Sequence, residues 1–202
     1  MPKGRPREFD TERALDIALL LFWKQGYEGT SLAALTQAMG INMPSLYAAF
    51  GNKEELFRKV LDRYIQKPAS YLPKALTAPT ARAAAENLLR GAIDMVMNRS
   101  HPDGCLLVQG ALASGPIGES AREELARRRG GAEAAVRRRF DRAIQEGDLP
   151  PEADSAKLAR YLITVIWGLS VQASGGATKA QLREVADLAL RSWGELVEER
   201  AR

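Results

Sequence analysis

The sequence predicts an all-α fold, in which an N-terminal three-helix unit containing a helix-turn-helix precedes a larger helical domain. Apolar residues recur at intervals of three and four along several segments, which is the period of an amphipathic helix. Gly and Pro clusters separate these segments, and none shows the strict alternation of a strand. Of 202 residues, 46% are hydrophobic and 27% charged, so the chain can bury a core. We expect domains at residues 1–52 and 53–202.

The first helix should begin after Asp10, whose side chain can cap free backbone N–H groups, and should end at Gly26. The apolar residues between them have helical spacing: Leu15, Ala18, Leu19 and Phe22. Before this helix, Lys3, Arg5 and Arg7 lie among Pro and Gly, which predicts a disordered basic arm. The arm would contact DNA phosphates or a minor groove; the alternative is a solvated tail without function.

Two short helices follow, joined by a tight turn. Leu32, Leu35 and Met39 lie on one face of the first, and Gly40 should stop it. Asn42 can cap the second, whose buried face is Leu46 and Phe50. The other faces of this second helix carry Met43, Pro44, Ser45, Tyr47 and Ala48.

This arrangement predicts a helix-turn-helix whose second helix enters the major groove of DNA. No residue from Gly29 to Asn52 is ionised, so no carboxylate there would repel phosphate, and Lys53 follows at the start of a further helix. Asn52 and Glu55 match the capping box of that helix. The alternative is an ordinary helical hairpin within a bundle.

The residues from Phe9 to Phe57 resemble the DNA-binding domain of the TetR family of bacterial transcriptional repressors. The resemblance rests on three ungapped runs: Gly26-Tyr27-x-x-Thr30-Ser31, Met39-Gly40-Ile41-Asn42, and Ser45-Leu46-Tyr47-x-x-Phe50-x-Asn52-Lys53-Glu54-Glu55-Leu56. It implies a regulator that binds a palindromic operator as a homodimer and is released by a small molecule. It also implies phosphate contacts from Tyr47 and Lys53 and hydrogen-bond donors at Thr30 and Ser31.

The resemblance and the helix pattern together give a set of expected DNA-contacting residues. They are Lys3, Arg5, Arg7, Thr30, Ser31, Asn42, Met43, Pro44, Ser45, Tyr47, Ala48 and Lys53. Met43, Pro44, Ser45 and Ala48 would face base edges. Because that set is mostly apolar, we expect thymine methyl groups to matter in the operator.

The remaining chain predicts further helices. One should run from Lys53 to about Gln66, and Pro68 and Pro73 mark a junction after it. Thr80 should cap the next helix, residues 105–112 should form a short buried one, and residues 119–147 a long charged one with a possible break at Gly130-Gly131. The arginine triplets at 127–129 and 137–139 favour a solvated face, because acidic residues lie close by.

Two apolar helices joined by a Gly-rich turn end the chain. They either complete the monomer's core or, as the resemblance implies, pair with a second subunit in a four-helix bundle. The residues expected at that dimer interface are Leu158, Leu162, Val165, Leu169, Val185, Ala189 and Trp193.

Enzymatic and metal chemistry are poorly supported. The chain has one His and one Cys, His101 and Cys105, and no third ligand type clusters nearby. We expect no enzyme activity, cofactor or metal. Cys105 has two interpretations: a thiol sensor favoured by the dipole of the helix that it begins, or a small packing residue.

Effector-binding residues are expected by analogy within the second domain. They are Met95, Cys105, Leu106, Gln109, Tyr161 and Trp167. The neutral, apolar character of that domain favours an uncharged or apolar effector. The absence of a long apolar run and of a signal-peptide pattern predicts a cytoplasmic protein that does not span a membrane. A different class of function stays open: a helical ligand-binding or interaction protein whose helix-turn-helix does not bind DNA.

Overall fold

The computed structural model describes residues 9–112 and 118–198, and all regular structure in these ranges is α-helical. The prediction of an all-α fold is confirmed. The helices are α1 (Thr11–Gly29), α2 (Leu32–Met39), α3 (Met43–Phe50), α4 (Lys53–Gln66), α5 (Tyr71–Ala75), α6 (Ala81–Val96), α7 (Leu106–Leu112), α8 (Glu119–Gln145), α9 (Ser155–Ser174) and α10 (Lys179–Glu198). We call α1–α3 the head and α5–α10 the body.

The helices of the head begin where local side chains satisfy free backbone donors. The Asp10 side chain accepts hydrogen bonds from two backbone N–H groups of the first turn of α1, at 3.0 Å each. The prediction that Gly26 ends this helix is only partly correct. Gly26 has φ +72°, which kinks the chain, but helical structure resumes and continues to Gly29.

Helix α4 joins the head to the body and has the predicted bounds. The Phe57 ring lies 5.1 Å from Phe22 and 4.9 Å from Tyr27, measured between ring centroids, so its aromatic surface packs into the head. Farther along α4, Tyr64 lies edge-on to Trp23 of α1 at 4.9 Å. One cluster of buried hydrophobic residues extends from the head through α4 into the body.

A group of ion pairs, which we call the α1–α4 clamp, also fixes α4 against α1. Arg63 Nε lies 2.6 Å from Asp16 Oδ1, and Lys67 Nζ lies 2.9 Å from Asp16 Oδ2. Arg63 also pairs with Glu12. The bond from Arg63 is the main reason that the pKa of Asp16 falls from 3.8 to about 2; the ammonium group of Lys67 adds to the effect and partial burial opposes it.

The body contains one helix that the sequence did not predict. Helix α5 follows the junction and includes Pro73. Its Tyr71 packs so closely on α6 that a Cβ at Gly91 would lie 2.7 Å from the Tyr71 ring, so only glycine permits this approach without rearrangement.

The long helix α8 differs from expectation in two ways. It is continuous through Gly130-Gly131, where a break had been considered. Its arginine triplets are only partly solvated: Arg139 is 4% exposed and donates to the Ala78 carbonyl oxygen, while Arg129 donates to the Leu107 carbonyl oxygen. Long side chains of this kind can bury their stems while their guanidinium groups bond to backbone.

Among the described residues, the helices are too short or too polar for any of them to span a lipid bilayer.

Candidate nucleic-acid interface

Helices α2 and α3 form a compact helix-turn-helix. Ser31 caps α2 by accepting a hydrogen bond from the Ala34 backbone N–H at 3.0 Å, and Asn42 caps α3 by accepting one from Ser45 at 2.9 Å. Gly40 between them has φ +68°, a left-handed conformation that ends α2 and turns the chain into α3. The predicted turn chemistry is confirmed.

Helix α3 buries one face and exposes the other. Leu46 is fully buried and Phe50 is 4% exposed, and Phe50 also contacts Phe9 before α1. On the opposite side the phenol of Tyr47 is 48% exposed, and Pro44 and Ala48 are exposed as well. This outward surface carries no carboxylate, so it can approach polyanionic DNA without repulsion.

Lys53 lies beside this surface at the first turn of α4. Its Nζ lies 4.3 Å from the centroid of the Tyr27 ring, a cation–π contact that holds the ammonium group in place. The neighbouring helix start is fixed by Asn52 and Glu55, whose side chains each accept the other's backbone N–H at 2.9–3.0 Å. In the sequence Tyr27 stands out only as a position of the motif that carries the family resemblance, and its contact with Lys53 depends on tertiary structure.

Gly51 is the residue that permits this close connection between α3 and α4. It has φ +77°, and a Cβ there would overlap the Glu55 carboxylate. The capping box and the turn therefore depend on the same glycine.

Thr30 does not fit its predicted role as a hydrogen-bond donor to DNA. It is fully buried, its hydroxyl donates to the Gly26 carbonyl oxygen at 2.7 Å, and its backbone N–H donates to Tyr27. Ser31 and Asn42 are exposed, but their side-chain oxygens already accept capping bonds. The basic arm with Lys3, Arg5 and Arg7 lies outside the described residues.

Cys105 lies in a buried cluster beneath the head. The Tyr64 hydroxyl is 3.1 Å from Cys105 Sγ and 3.7 Å from Met95 Sδ. Burial raises the pKa of the Cys105 thiol and outweighs the backbone N–H groups at the start of α7, which act in the opposite direction. The expected stabilisation of the thiolate is therefore wrong in sign, and the geometry favours the packing interpretation.

His101, the other candidate for side-chain chemistry, does not pair with Cys105. Its ring stacks on Trp23 at 5.3 Å between centroids, and its buried Nδ1 has no hydrogen-bond partner among the described residues. In those residues no group of three or more potential ligands is arranged to hold a metal ion.

In the part of the chain that the structure describes, the expected effector residues make separate sets of contacts. Met95 and Cys105 both contact Tyr64, and Leu106 is buried next to Cys105. Gln109 instead donates its amide to the Asp103 carbonyl oxygen at 2.6 Å. Tyr161 and Trp167 are half-buried on α9 and line neither of the two cavities described below.

Most residues expected at the dimer interface lie within the protomer's own core. The side chains that are at most 6% exposed are Leu158, Leu162, Leu169, Ala189 and Trp193. They are unavailable to a partner in this conformation, because neighbouring helices of the same chain cover them. Val165 is half-buried and Val185 is 44% exposed, and Val171 and Leu188, which were not predicted, add exposed apolar surface on α9 and α10.

Two protein-family models match the chain. Residues 14–60 match the model described as bacterial regulatory proteins, tetR family, and residues 79–187 match a tetracyclin repressor-like C-terminal domain. The first match contains the helix-turn-helix and Lys53, and the second contains most of the body.

Curated relatives and solved structures agree with these matches. The HTH-type transcriptional repressor ComR of Escherichia coli (strain K12) is 36% identical over 96% of this chain and 94% of its own length. A cysteine-substituted form of the TetR family regulator CifR, in complex with 26-base-pair operator DNA, is 44% identical with a TM-score of 0.88 over 94% of this chain and all of its own. A TetR regulator from Rhodococcus sp. RHA1 is 43% identical, with a TM-score of 0.62 over 91% of this chain and 99% of its own.

Proposed function

This chain belongs to the TetR family of bacterial regulatory proteins and is a DNA-binding transcriptional regulator, and we propose that it is a repressor that binds a palindromic operator as a homodimer and is released by a small molecule. The relatives that it matches over nearly its whole length are regulators rather than enzymes. We expect it to act on its operator in the bacterial cytoplasm.

The exposed face of α3 carries the proposal. Tyr47 projects from it, Pro44 and Ala48 flank the phenol, and no acidic side chain interrupts it. Beside that face, Lys53 presents a cation to which no described residue contributes a carboxylate partner. A surface of this kind can insert into a major groove while Tyr47 and Lys53 contact phosphates on its edges.

A mobility-shift titration on DNA from beside the protein's own gene tests the role of α3. Tyr47→Ala should abolish specific binding without affecting folding, because this phenol projects into solvent and supports little of the core. Leu20→Ala is the matched control, since Leu20 is similarly exposed, at 44%, but lies on α1. Equal affinities for the wild-type protein and Tyr47→Ala would refute the proposed interface.

The apolar side chains of α3 also predict which bases of the operator the protein prefers. Pro44, Ala48 and the half-buried Met43 offer hydrocarbon surface, which favours contact with thymine C5-methyl groups. Replacing operator thymines by uracil, one position at a time, should reduce affinity at the contacted positions. Unchanged affinity at every position would exclude this mode of recognition.

Dimerisation is proposed from the outer surface of α9 and α10. Val171 of α9 and Val185 and Leu188 of α10 are 43%, 44% and 55% exposed, so both helices present large aliphatic side chains to solvent. A cavity of about 310 Å³, lined by residues such as Val165 and Leu182, lies between the same helices. A two-fold contact through this surface would bury these groups and bring two heads to one face of the DNA.

Molar mass measured by light scattering tests the dimer. Leu188→Glu should shift the protein towards monomer, because the contact would then desolvate a carboxylate. Leu20→Glu is the matched control: it introduces the same charge at a leucine of comparable exposure on α1. A monomeric wild-type protein, or a Leu188→Glu variant that dimerises as well as the control, would count against this interface.

Release by a ligand requires a mechanical link between body and head, and α4 is the proposed link. Besides the α1–α4 clamp, Glu28 of α1 accepts a hydrogen bond from the Gly118 backbone N–H at 2.7 Å, immediately before α8. The Ser120 hydroxyl of α8 donates to Glu54 of α4 at 2.9 Å. A ligand that shifts α4 or α8 would thus alter the orientation of the head and the spacing between the two recognition helices.

A further inference from the structure

An open groove of about 500 Å³ lies between α5 and α6, at the end of α4. Its volume falls within the range of sites for small organic molecules. It adjoins the α1–α4 clamp, because Lys67 belongs to both. The groove therefore touches the element that we propose to couple the body to the head.

The charged groups around the groove favour an anion. Lys74 has no carboxylate partner among the described residues, and Lys67 contributes a second ammonium group. The acidic residue of the lining, Asp94, is paired with Lys179 of α10 at 2.7 Å. An incoming anion would therefore meet the unpaired ammonium group of Lys74, a second ammonium group on Lys67 that is shared with Asp16, and a carboxylate whose charge Lys179 already balances.

The uncharged part of the lining favours an organic rather than an inorganic anion. Tyr71 and Met95 supply an apolar wall to the groove. A molecule with one carboxylate and a hydrocarbon or aromatic body matches this combination of cations and apolar wall.

We propose that this groove is the effector site of the ligand-released repressor and that its ligand is a small organic carboxylate with an apolar body. The inference rests on the proposed function, and it replaces the uncharged effector that the sequence favoured. The coupling follows from the shared lysine. Lys67 Nζ holds Asp16 of α1 at 2.9 Å, and a carboxylate in the groove competes with Asp16 for that ammonium group. Occupancy removes the Lys67 pair from the clamp and leaves the two Arg63 pairs, which lowers the resistance of the head to a tilt relative to α4.

Octanoate and naphthoate, each compared with its neutral amide, serve as probes in calorimetric titrations of the full-length protein. We expect the better carboxylate to bind about tenfold more tightly than its amide, because charge-assisted bonds are stronger than neutral ones. Lys74→Met should remove that preference. Lys157→Met, which makes the same charge change at an exposed position of α9, should leave it intact. Equal binding of acids and amides, or a preference that survives Lys74→Met, would overturn the assignment.

Asp16→Asn tests whether a carboxylate in the groove competes with Asp16 for Lys67. It frees Lys67 from its carboxylate partner, so carboxylate binding should become severalfold tighter, which a purely structural loss would not produce. Unchanged or weaker binding would refute the competition for Lys67. Operator binding by the same preparations distinguishes a failure of the groove assignment from a failure of the proposed function. Normal operator binding without a carboxylate preference would refute the groove alone, whereas absence of specific DNA binding would refute the proposed function.

Discussion

Replacing Lys53 by Met should make operator binding less sensitive to salt. Its ammonium group is held over the Tyr27 ring at 4.3 Å and has no carboxylate partner among the described residues, so its charge is available to a phosphate. Met keeps an unbranched apolar side chain of similar length beside the ring and removes only the cation. The fold should therefore survive the change.

The magnitude follows from counterion release. Each lost phosphate contact reduces the slope of log affinity against log salt by ~0.9, and the proposed homodimer would carry two copies of Lys53, so the expected reduction is ~1.8. Between 50 and 200 mM salt, this changes the ratio of wild-type to variant affinity by about twelvefold. Fluorescence-anisotropy titrations at several salt concentrations measure the slope directly.

Lys157→Met on α9 is the control with the same change in net charge. Its slope should match that of the wild-type protein, since the residue lies in the body. An unchanged slope for Lys53→Met would refute the phosphate contact. A reduction of only ~0.9 would support the contact but would indicate that a single head binds at a time.

Three further experiments test the core, the clamp and the thiol. Phe57→Ala should lower the free energy of unfolding by about 3–5 kcal/mol in urea titrations, because the ring is 2% exposed and packs against Phe22 and Tyr27; a loss below about 1 kcal/mol would contradict the packing. Because the folded-state pKa of Asp16 lies at about 2, below its ordinary 3.8, its pairing stabilises the fold above about pH 4 and is lost as the pH falls towards 2. Asp16→Asn should flatten that part of the stability–pH curve, and a curve as steep as the wild type's would refute the clamp. Since burial raises its pKa, the Cys105 thiol should react with an aromatic disulfide reagent far more slowly than the same residue in the urea-unfolded chain, whereas comparable rates would revive the sensor interpretation.

Local chemistry accounts for the parts of the fold that the sequence predicted well. The bounds of α4 followed from the capping box of Asn52 and Glu55, and the turn before α3 followed from Gly40 and Asn42. Helix α5 escaped prediction because five residues are too few to show a period and Pro73 indicated a junction. Caps and turn glycines act within a few residues of the chain, so they do not depend on what packs against the helix.

The errors in the candidate sites share one physical cause, which is that a sequence pattern does not show what covers a side chain. The resemblance implied a DNA contact for Thr30, yet its hydroxyl is turned inward to Gly26. Leu162 and Leu169 form a helical stripe suited equally to a core or to a dimer, and the chain's own helices cover them. Backbone N–H groups at the start of α7 do lower the pKa of Cys105, but burial has the larger effect and raises it.

The continuous aromatic packing across α4 has a consequence for how new DNA specificities arise in such proteins. A chimera joined after residue 52 would separate Phe22 and Tyr27 from Phe57, and Trp23 from Tyr64, and so would combine halves whose packing surfaces had never been matched. Such grafts should fail more often than their sequence similarity suggests. Point substitutions on the exposed face of α3 leave these contacts untouched, so operator preference can diverge there while the remainder of the chain stays constant.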